Sequence, residues 1–287
     1  MKATLKQLLL VAMLCMASAV AAAQSDSAVA VVERPVLSVY SLELGSSHLA
    51  DTYLTPLRYK GTSLGLDYER TQAMRFNPER WVMRLHGSLR GESAQNPVRN
   101  ANIYAIDLTL GWAMMHRWNA GRFTLAAGGS TDVNGGVFYA PRNSNNPASA
   151  KGSWTINATG YAAYSGKIGK IPFCARELAE LPLTGIFFSP EYDELYYEIY
   201  LGNRSGLVHY AHPGNFFRFD NTASIDLRFG RTILRVGYRC RILSTKVSDI
   251  VTRNISHSAI IGIASEWLAL GTDRKAANEA RIISSLY

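Results

Sequence analysis

Between Ile103 and Asn134 the sequence alternates with a strictness that few folds tolerate. Tyr104, Ile106, Leu108, Leu110, Trp112 and Met114 fall on one parity, and Ala105, Asp107, Thr109, Gly111 and Ala113 on the other. After Trp118-Asn119-Ala120-Gly121 the alternation resumes, with Phe123, Leu125 and Ala127 opposed by Arg122, Thr124, Ser130 and Asp132. Successive side chains of a strand point to opposite faces, so a period of two means strands, and Asn-Ala-Gly between them is hairpin chemistry. One face is bulky and apolar; the other is small and charged. A wall with acyl chains on one side and a crowded, wet interior on the other has this division. The chain therefore reads as all-β, a transmembrane antiparallel up-and-down β-barrel.

The ends of the chain fit that reading. Residues 1–23 have the form of an export signal, with Lys2 and Lys6 at its start, an apolar stretch from Leu8 to Met16, and Ala21-Ala22-Ala23 as a cleavage site. Cleavage after Ala23 leaves a mature start at Gln24. Lipidation at Cys15 is disfavoured because bulky Leu14 precedes it. Beyond this segment no apolar run approaches the roughly 18 residues of a membrane helix, so an exported chain either stays in the periplasm or closes a barrel. Residues 24–34 read as a flexible lead-in, 35–272 as the barrel, and 273–287 as a tail. Ala276, Ala280 and Ile283 give that tail the spacing of a short helix.

Twelve strands are expected, including Val36–Leu44, Arg58–Gln72, Trp81–Gly91, Ser153–Ser165, Ile171–Leu183, Phe216–Phe229 and His257–Leu270. Two short segments, Leu195–Leu201 and Leu207–His212, decide the count, which ranges from ten to fourteen. Longer connections are expected at Gly45–Pro56, Glu92–Asn100, Gly135–Gly152, Gly185–Glu194 and Thr245–Asn254, alternating with short turns as outer-membrane barrels do. The net charge is +8, but the basic residues are dispersed and form no run. That disfavours nucleic acid as a partner and favours an arginine-lined interior or contact with anionic headgroups. Cys174 and Cys240 could pair in an oxidising compartment. Cys240 shares the apolar parity of Val236 and Tyr238, which favours a free thiol.

Three stretches, Asp51-Thr52-Tyr53-Leu54-Thr55-Pro56-Leu57, Pro141-Arg142-Asn143-Ser144-Asn145-Asn146-Pro147-Ala148 and Gly185-Ile186-Phe187-Phe188-Ser189-Pro190-Glu191-Tyr192, carry a likeness. With Tyr196-Tyr197-Glu198-Ile199 and Val236-Gly237-Tyr238, they resemble a family of Bacteroidota outer-membrane barrels known only as a domain of unknown function. The resemblance implies a membrane barrel over nearly all of the mature chain. It supplies no activity, substrate or catalytic residue.

Charged residues on the small-residue parity are the candidate lumen lining: Asp67, Glu69, Arg84, His86, Arg90, Asp107, Arg122, Asp132, Asp226, Arg228, Arg231, Arg235, Arg239 and Arg241. An arginine facing lipid at mid-membrane costs about 2–4 kcal/mol, so these side chains belong inside. They could line an anion-selective passage or pair across the lumen and pack it shut. Twelve strands is intermediate between small filled barrels and wide porins, which tilts the balance toward a filled or very narrow interior. Small solutes are then partners only if the passage is open.

His86-Gly87-Ser88, with Asn100 or Asn102 as orienting group, resembles the His, Ser and Asn of outer-membrane phospholipases, and triad logic gives each a role. Parity opposes it, because this pair shares a face with Arg84 and Arg90 whereas those sites face lipid. No catalytic residues are expected and the protein reads as a non-enzyme, with the lipid hydrolase as an alternative. His48 with Asp51, and His209 with His212, fall short of a full ligand set, so no metal or cofactor is expected. Asn143 to Asn146 could offer oxygens to calcium or a glycan, or satisfy a turn. Trp81, Trp112, Trp118, Trp154 and Tyr238 suit interfacial girdles. A further alternative is a soluble periplasmic barrel around an apolar ligand, which requires the apolar parity inside and Arg231, Arg235 and Arg239 in water. The first reading places the protein in the outer membrane of a Gram-negative bacterium, with outer-membrane lipid as its partner.

Overall fold

The computed structural model describes residues 32–144, 146–190, 201–202, 206–230, 232–267 and 281–283. The strands are β1 (Val32–Glu33), β2 (Val36–Asp51), β3 (Thr55–Ala73), β4 (Trp81–Gln95), β5 (Asn102–Ala120), β6 (Phe123–Tyr139) and β7 (Ala148–Ile168). They continue with β8 (Ile171–Phe188), β9 (Val208–Ala211), β10 (Phe216–Phe229), β11 (Thr232–Val247), β12 (Ile250–Trp267) and β13 (Arg281–Ile282).

Ten of these close into one antiparallel ring. Strands β2 to β8 pair in chain order, as do β10 to β12, and β12 returns to β2 along its whole length, from Trp267↔Val36 to Thr252↔Asp51. The second junction joins β8 to β10, from Leu227↔Phe173 to Asp220↔Glu180. Farther along the same edge of β8 lies β9, paired from Ala211↔Gly185 to Val208↔Phe188. The chain turns out of the wall between β9 and β10, where the His212 carbonyl accepts the Asn215 and Phe216 amides. A closed ring leaves no row of unpaired backbone groups, the condition for crossing a hydrocarbon layer with strands.

The expected count of twelve is therefore corrected to ten ring strands plus the four-residue β9. Leu207–His212 lacked the length to form a full stave, and Leu195–Leu201 falls almost wholly outside the described residues. The signal at 1–23 also lies outside them. In the tail, Arg281–Ile282 form not a helix but a strand parallel to Val32–Glu33, a separate two-stranded pair; residues 273–280 lie outside the described set.

Alternation fixes which side of the wall each residue takes. Along β5, Leu110 is 55% exposed while its neighbour Thr109 is 4% exposed. Along β11, Val236 and Tyr238 face out between buried Arg235 and Arg239. The apolar parity thus faces outward, which removes the alternative of a barrel closed around an apolar ligand. The β5–β6 hairpin has a two-residue loop, Gly121-Arg122, and Gly121 takes φ +63°, which only glycine adopts freely. Along the short-turn rim, aromatic rings touch in sequence: Phe76 with Trp81, Trp81 with His116, and His116 with Trp118. Phe123, Tyr164 and Phe173 continue the series. Rings that are apolar in body and polar at the edge collect where hydrocarbon meets water. Trp112 and Trp154, by contrast, sit out on the strands rather than in this rim.

The strands outrun the sequence reading at the opposite end. β2 and β3 extend through the expected loop Gly45–Pro56, leaving only residues 52–54 to turn, and β6 and β7 extend through Gly135–Gly152, leaving 140–147. There the outward residues (Ser46, His48, Lys60, Thr62) are as polar as the inward ones, so the ladder continues after the contrast between faces has faded. β5 has 19 residues, about twice the 9–11 needed to cross a bilayer. Pro172 and Pro182 do not break β8. A bulge between Pro182 and Thr184 takes up the irregularity, and the inward parity switches from even (Cys174 to Glu180) to odd (Gly185, Phe187).

Candidate functional site in the barrel interior

Within the ring, a polar middle is capped by apolar residues at both ends. At the short-turn end Val82, Ala113, Met115, Ala126, Tyr161 and Leu178 pack together, and Leu37, Val39, Ile233 and Ala264 form a second cluster. At the other end Leu49, Leu54, Tyr59, Ile103 and Phe138 form one cluster, and Phe187, Phe216 and Val247 another. The sequence reading expected only small and charged residues inside.

The polar middle is organised by ion pairs that cross the lumen. Glu69 on β3 accepts from Arg84 Nε on β4 at 2.7 Å, from Arg176 Nη2 on β8 at 2.6 Å and from Arg235 Nη1 on β11 at 3.1 Å. Since β3 and β8 stand five places apart in a ring of ten, the Arg176–Glu69 bond links opposite walls. Arg235 also forks onto Asp226, with Nε–Oδ1 2.6 Å and Nη2–Oδ2 2.7 Å. Beside this group, Arg239 makes a second fork onto Asp220 at 2.8 and 2.9 Å and gives Nη1 to Glu43 at 2.6 Å and Asp67 at 2.7 Å. Arg241 reaches Asp220 and Asp67, both at 3.2 Å, and donates to Ser88 Oγ at 3.0 Å. Two-point guanidinium–carboxylate contacts are short, directional and resistant to rearrangement.

Toward the end opposite the short turns, Arg90 lies 3.0 Å from Glu92 and 3.7 Å from Asp107, and Glu92 also accepts from Ser47 and Asn254. Lys151 holds buried Asp51 at 2.6 Å and stands over the Phe138 ring. The interior space left between these groups is small. A cavity lined by Arg90, Asp107, Lys151, Arg218 and Arg241 has a volume of about 50 Å³. One lined by Glu43, Glu69, Arg84, His86 and Arg239 has about 30 Å³. Spaces of this size admit a few water molecules at most.

Of the fourteen residues expected in the lumen, the structure buries Glu69, Arg84, His86, Arg90, Asp132, Asp226, Arg235 and Arg239, and half-buries Asp67, Asp107, Arg228 and Arg241, all on the inward parity. Arg228 pairs with Glu266 at 2.8 Å, away from the central network. Arg122 is corrected: it sits exposed in the two-residue β5–β6 loop, where alternation no longer assigns a face. Arg231 lies outside the described residues. Glu43, Arg176, Glu180 and Asp220, central to the network, escaped the sequence reading. Asp220 shares the parity of Asp226 and could have been found. Glu43 follows Leu37 and Val39 on one parity, and Arg176 and Glu180 flank Leu178, so the capping apolar residues hid them.

The candidate His86, Ser88 and Asn100 do not assemble. Ser88 points inward under Arg241. Asn100 sits in the β4–β5 turn bonded to Asn96. Asn102 pairs with Gln95, nine residues up β4 from His86 and so roughly 30 Å away. His48 faces outward and Asp51 inward; His209 bonds the Ser189 carbonyl and His212 the Gly214 amide. Asn143 donates to the Leu54 carbonyl, tying the 140–147 loop to the β2–β3 turn. Cys174 and Cys240 are both free, the first buried inside and the second on the outer parity, so the wall itself separates them.

The chain belongs to the family described as "Protein of unknown function (DUF3316)", whose profile matches residues 7–274. No curated protein matches this sequence. Among solved structures it is similar to the outer membrane protease OmpT from Escherichia coli, with a TM-score of 0.48 and 7% identity over 85% of this chain and 99% of that one. It is also similar to the translocator domain of autotransporter NalP from Neisseria meningitidis, with a TM-score of 0.36 and 8% identity over 93% and 97%. An outer membrane channel from Pseudomonas putida F1 gives 0.35 and 8% over 85% and 100%.

Proposed function

Starting from that membership, we propose that the protein is an outer-membrane barrel whose lumen is packed shut, serving as a structural or partner-binding element and neither conducting solutes nor catalysing a reaction. An N-terminal export segment delivers it, and cleavage after Ala23 starts the mature chain. The outward apolar parity and the aromatic rim support contact with outer-membrane lipid.

The observation that carries the reading is Glu69, gripped by guanidinium groups from three strands, one of them on the opposite wall. A hydrated ion entering there must displace buried, charge-assisted bonds and then pass apolar layers at both ends. Each step is unfavourable in a low-dielectric interior. The test is conductance of the purified, folded protein in a planar bilayer. Silence over a range of voltages and salts is expected, and a stable current, above all one favouring anions, overturns the reading. Lipid hydrolysis assays on the same preparation are expected to show no activity that Ser88→Ala removes.

A further inference from the structure

We propose that the barrel interior holds a divalent transition-metal ion of the zinc class, bound by His86, Asp132 and Glu180. These residues stand on β4, β6 and β8, and one ligand atom from each lies within 4.8 Å of the others. His86 Nε2 is 3.8 Å from Asp132 Oδ1, and the two side chains are only 6% and 5% exposed. Asp132 Oδ1 and His86 Nδ1 make no hydrogen bond.

Among the described residues the charge pattern argues for an ion at this cluster. Glu43, Glu69, Asp220 and Asp226 each meet an arginine, and Asp51 meets Lys151. Among the described residues Asp132 has no arginine or lysine at ion-pair distance. It faces instead an imidazole and a second carboxylate. Arg84 meets Glu180, but Asp132 is left as a buried carboxylate without a cation, which a bound ion would compensate. Glu180 is anchored through Oε1 by Arg84 at 3.1 Å and Thr159 at 3.3 Å, the outer-layer support that ligating carboxylates characteristically have.

The backbone has been shaped to the same end. His86 and Asp132 both pair in register with Gly111, one from each side. A Cβ on Gly111 would lie 2.2 Å from Asp132 Oδ1 and 2.2 Å from His86 Cε1, so only glycine lets the two side chains meet over β5. One imidazole nitrogen and two carboxylate oxygens suit Zn²⁺ and its neighbours, whereas Ca²⁺ and Mg²⁺ prefer all-oxygen shells of six or more. Ligand atoms around such an ion stand roughly 3.4 Å apart, so the three side chains, now within 4.8 Å of one another, draw closer when it binds.

The experiment refolds the metal-depleted protein into detergent over a series of Zn²⁺ concentrations buffered by a chromophoric chelator, so that the ion need not enter a closed barrel, and records the Co²⁺ absorption spectrum in parallel. One equivalent of tightly bound Zn²⁺ is expected, with affinity falling about tenfold or more in both Asp132→Asn and His86→Gln. The Co²⁺ ligand-field bands are expected to disappear in the same variants. Asp132→Asn is isosteric and keeps the test valid should His86→Gln fail to fold, which heat-modifiable gel migration reports. Absence of stoichiometric binding overturns the proposal. So does binding that neither substitution weakens, the result that exposed histidines such as His48 would give.

Discussion

Two sides of the barrel interior follow different rules. Where β10 and β11 face β2 and β3, every buried acid meets a guanidinium, and Asp220 and Asp226 are each held at two points. Where β4, β5 and β6 run together, His86 and Asp132 meet across a glycine and Asp132 has no such partner. The first side consists of bonds that resist opening. The second leaves a buried carboxylate oxygen without a hydrogen bond and without an arginine or lysine at ion-pair distance. The two clusters thus differ in how their acids are met, and Arg84 joins them, giving Nε to Glu69 and Nη1 to Glu180.

The sharpest way to break this contrast is Arg235→Ala. It strands Asp226 and removes one of the three cations on Glu69, and breaking a buried pair from one side costs about 3–5 kcal/mol. Denaturant unfolding in vesicles measures it, and a loss near zero would mean that the paired wall is not what holds the ring. Leu110→Arg supplies a reference from outside the wall, expected at about 2–4 kcal/mol if Leu110 meets lipid at mid-depth. Gly111→Ala should cost about 1–3 kcal/mol through overpacking and should also separate His86 from Asp132. Last comes Asp132→Asn, measured without divalent ions. Since it removes a charge that has no cation partner, its effect should stay under about 1 kcal/mol. An effect as large as that of Arg235→Ala would erase the distinction between the two walls.

The outer surface of the barrel was legible in the sequence because one whole parity of each central strand stretch is apolar and faces outward. Leu108, Leu110 and Trp112 can only alternate with Thr109 and Gly111 if one side is greasy. The interior was less legible for two reasons. At its ends the inward residues are themselves apolar, as with Leu37 and Val39 before Glu43, so parity no longer marks the lumen. The cluster of His86, Asp132 and Glu180 comes from three strands far apart in the chain, and no local spacing reports it. The pairing register carries it, through Gly111. The strand count settled at ten, the lower end of the expected range, because the chain deviates from one strand per pass at β9 and the turn after His212. The loops failed where polar residues occupy both faces and a ladder can continue without periodicity.

The junction of β12 with β2 has a consequence for how the molecule comes into being. Its two partners are separated by almost the whole length of the barrel, so the seal forms only after the last stave has been synthesised. Assembly led by such distant contacts is slow. A product truncated before Ile250 would present β2 and β11 as bare edges, inviting aggregation and proteolytic disposal. Closure of the ring therefore waits on β12, the last of its ten staves to leave the ribosome.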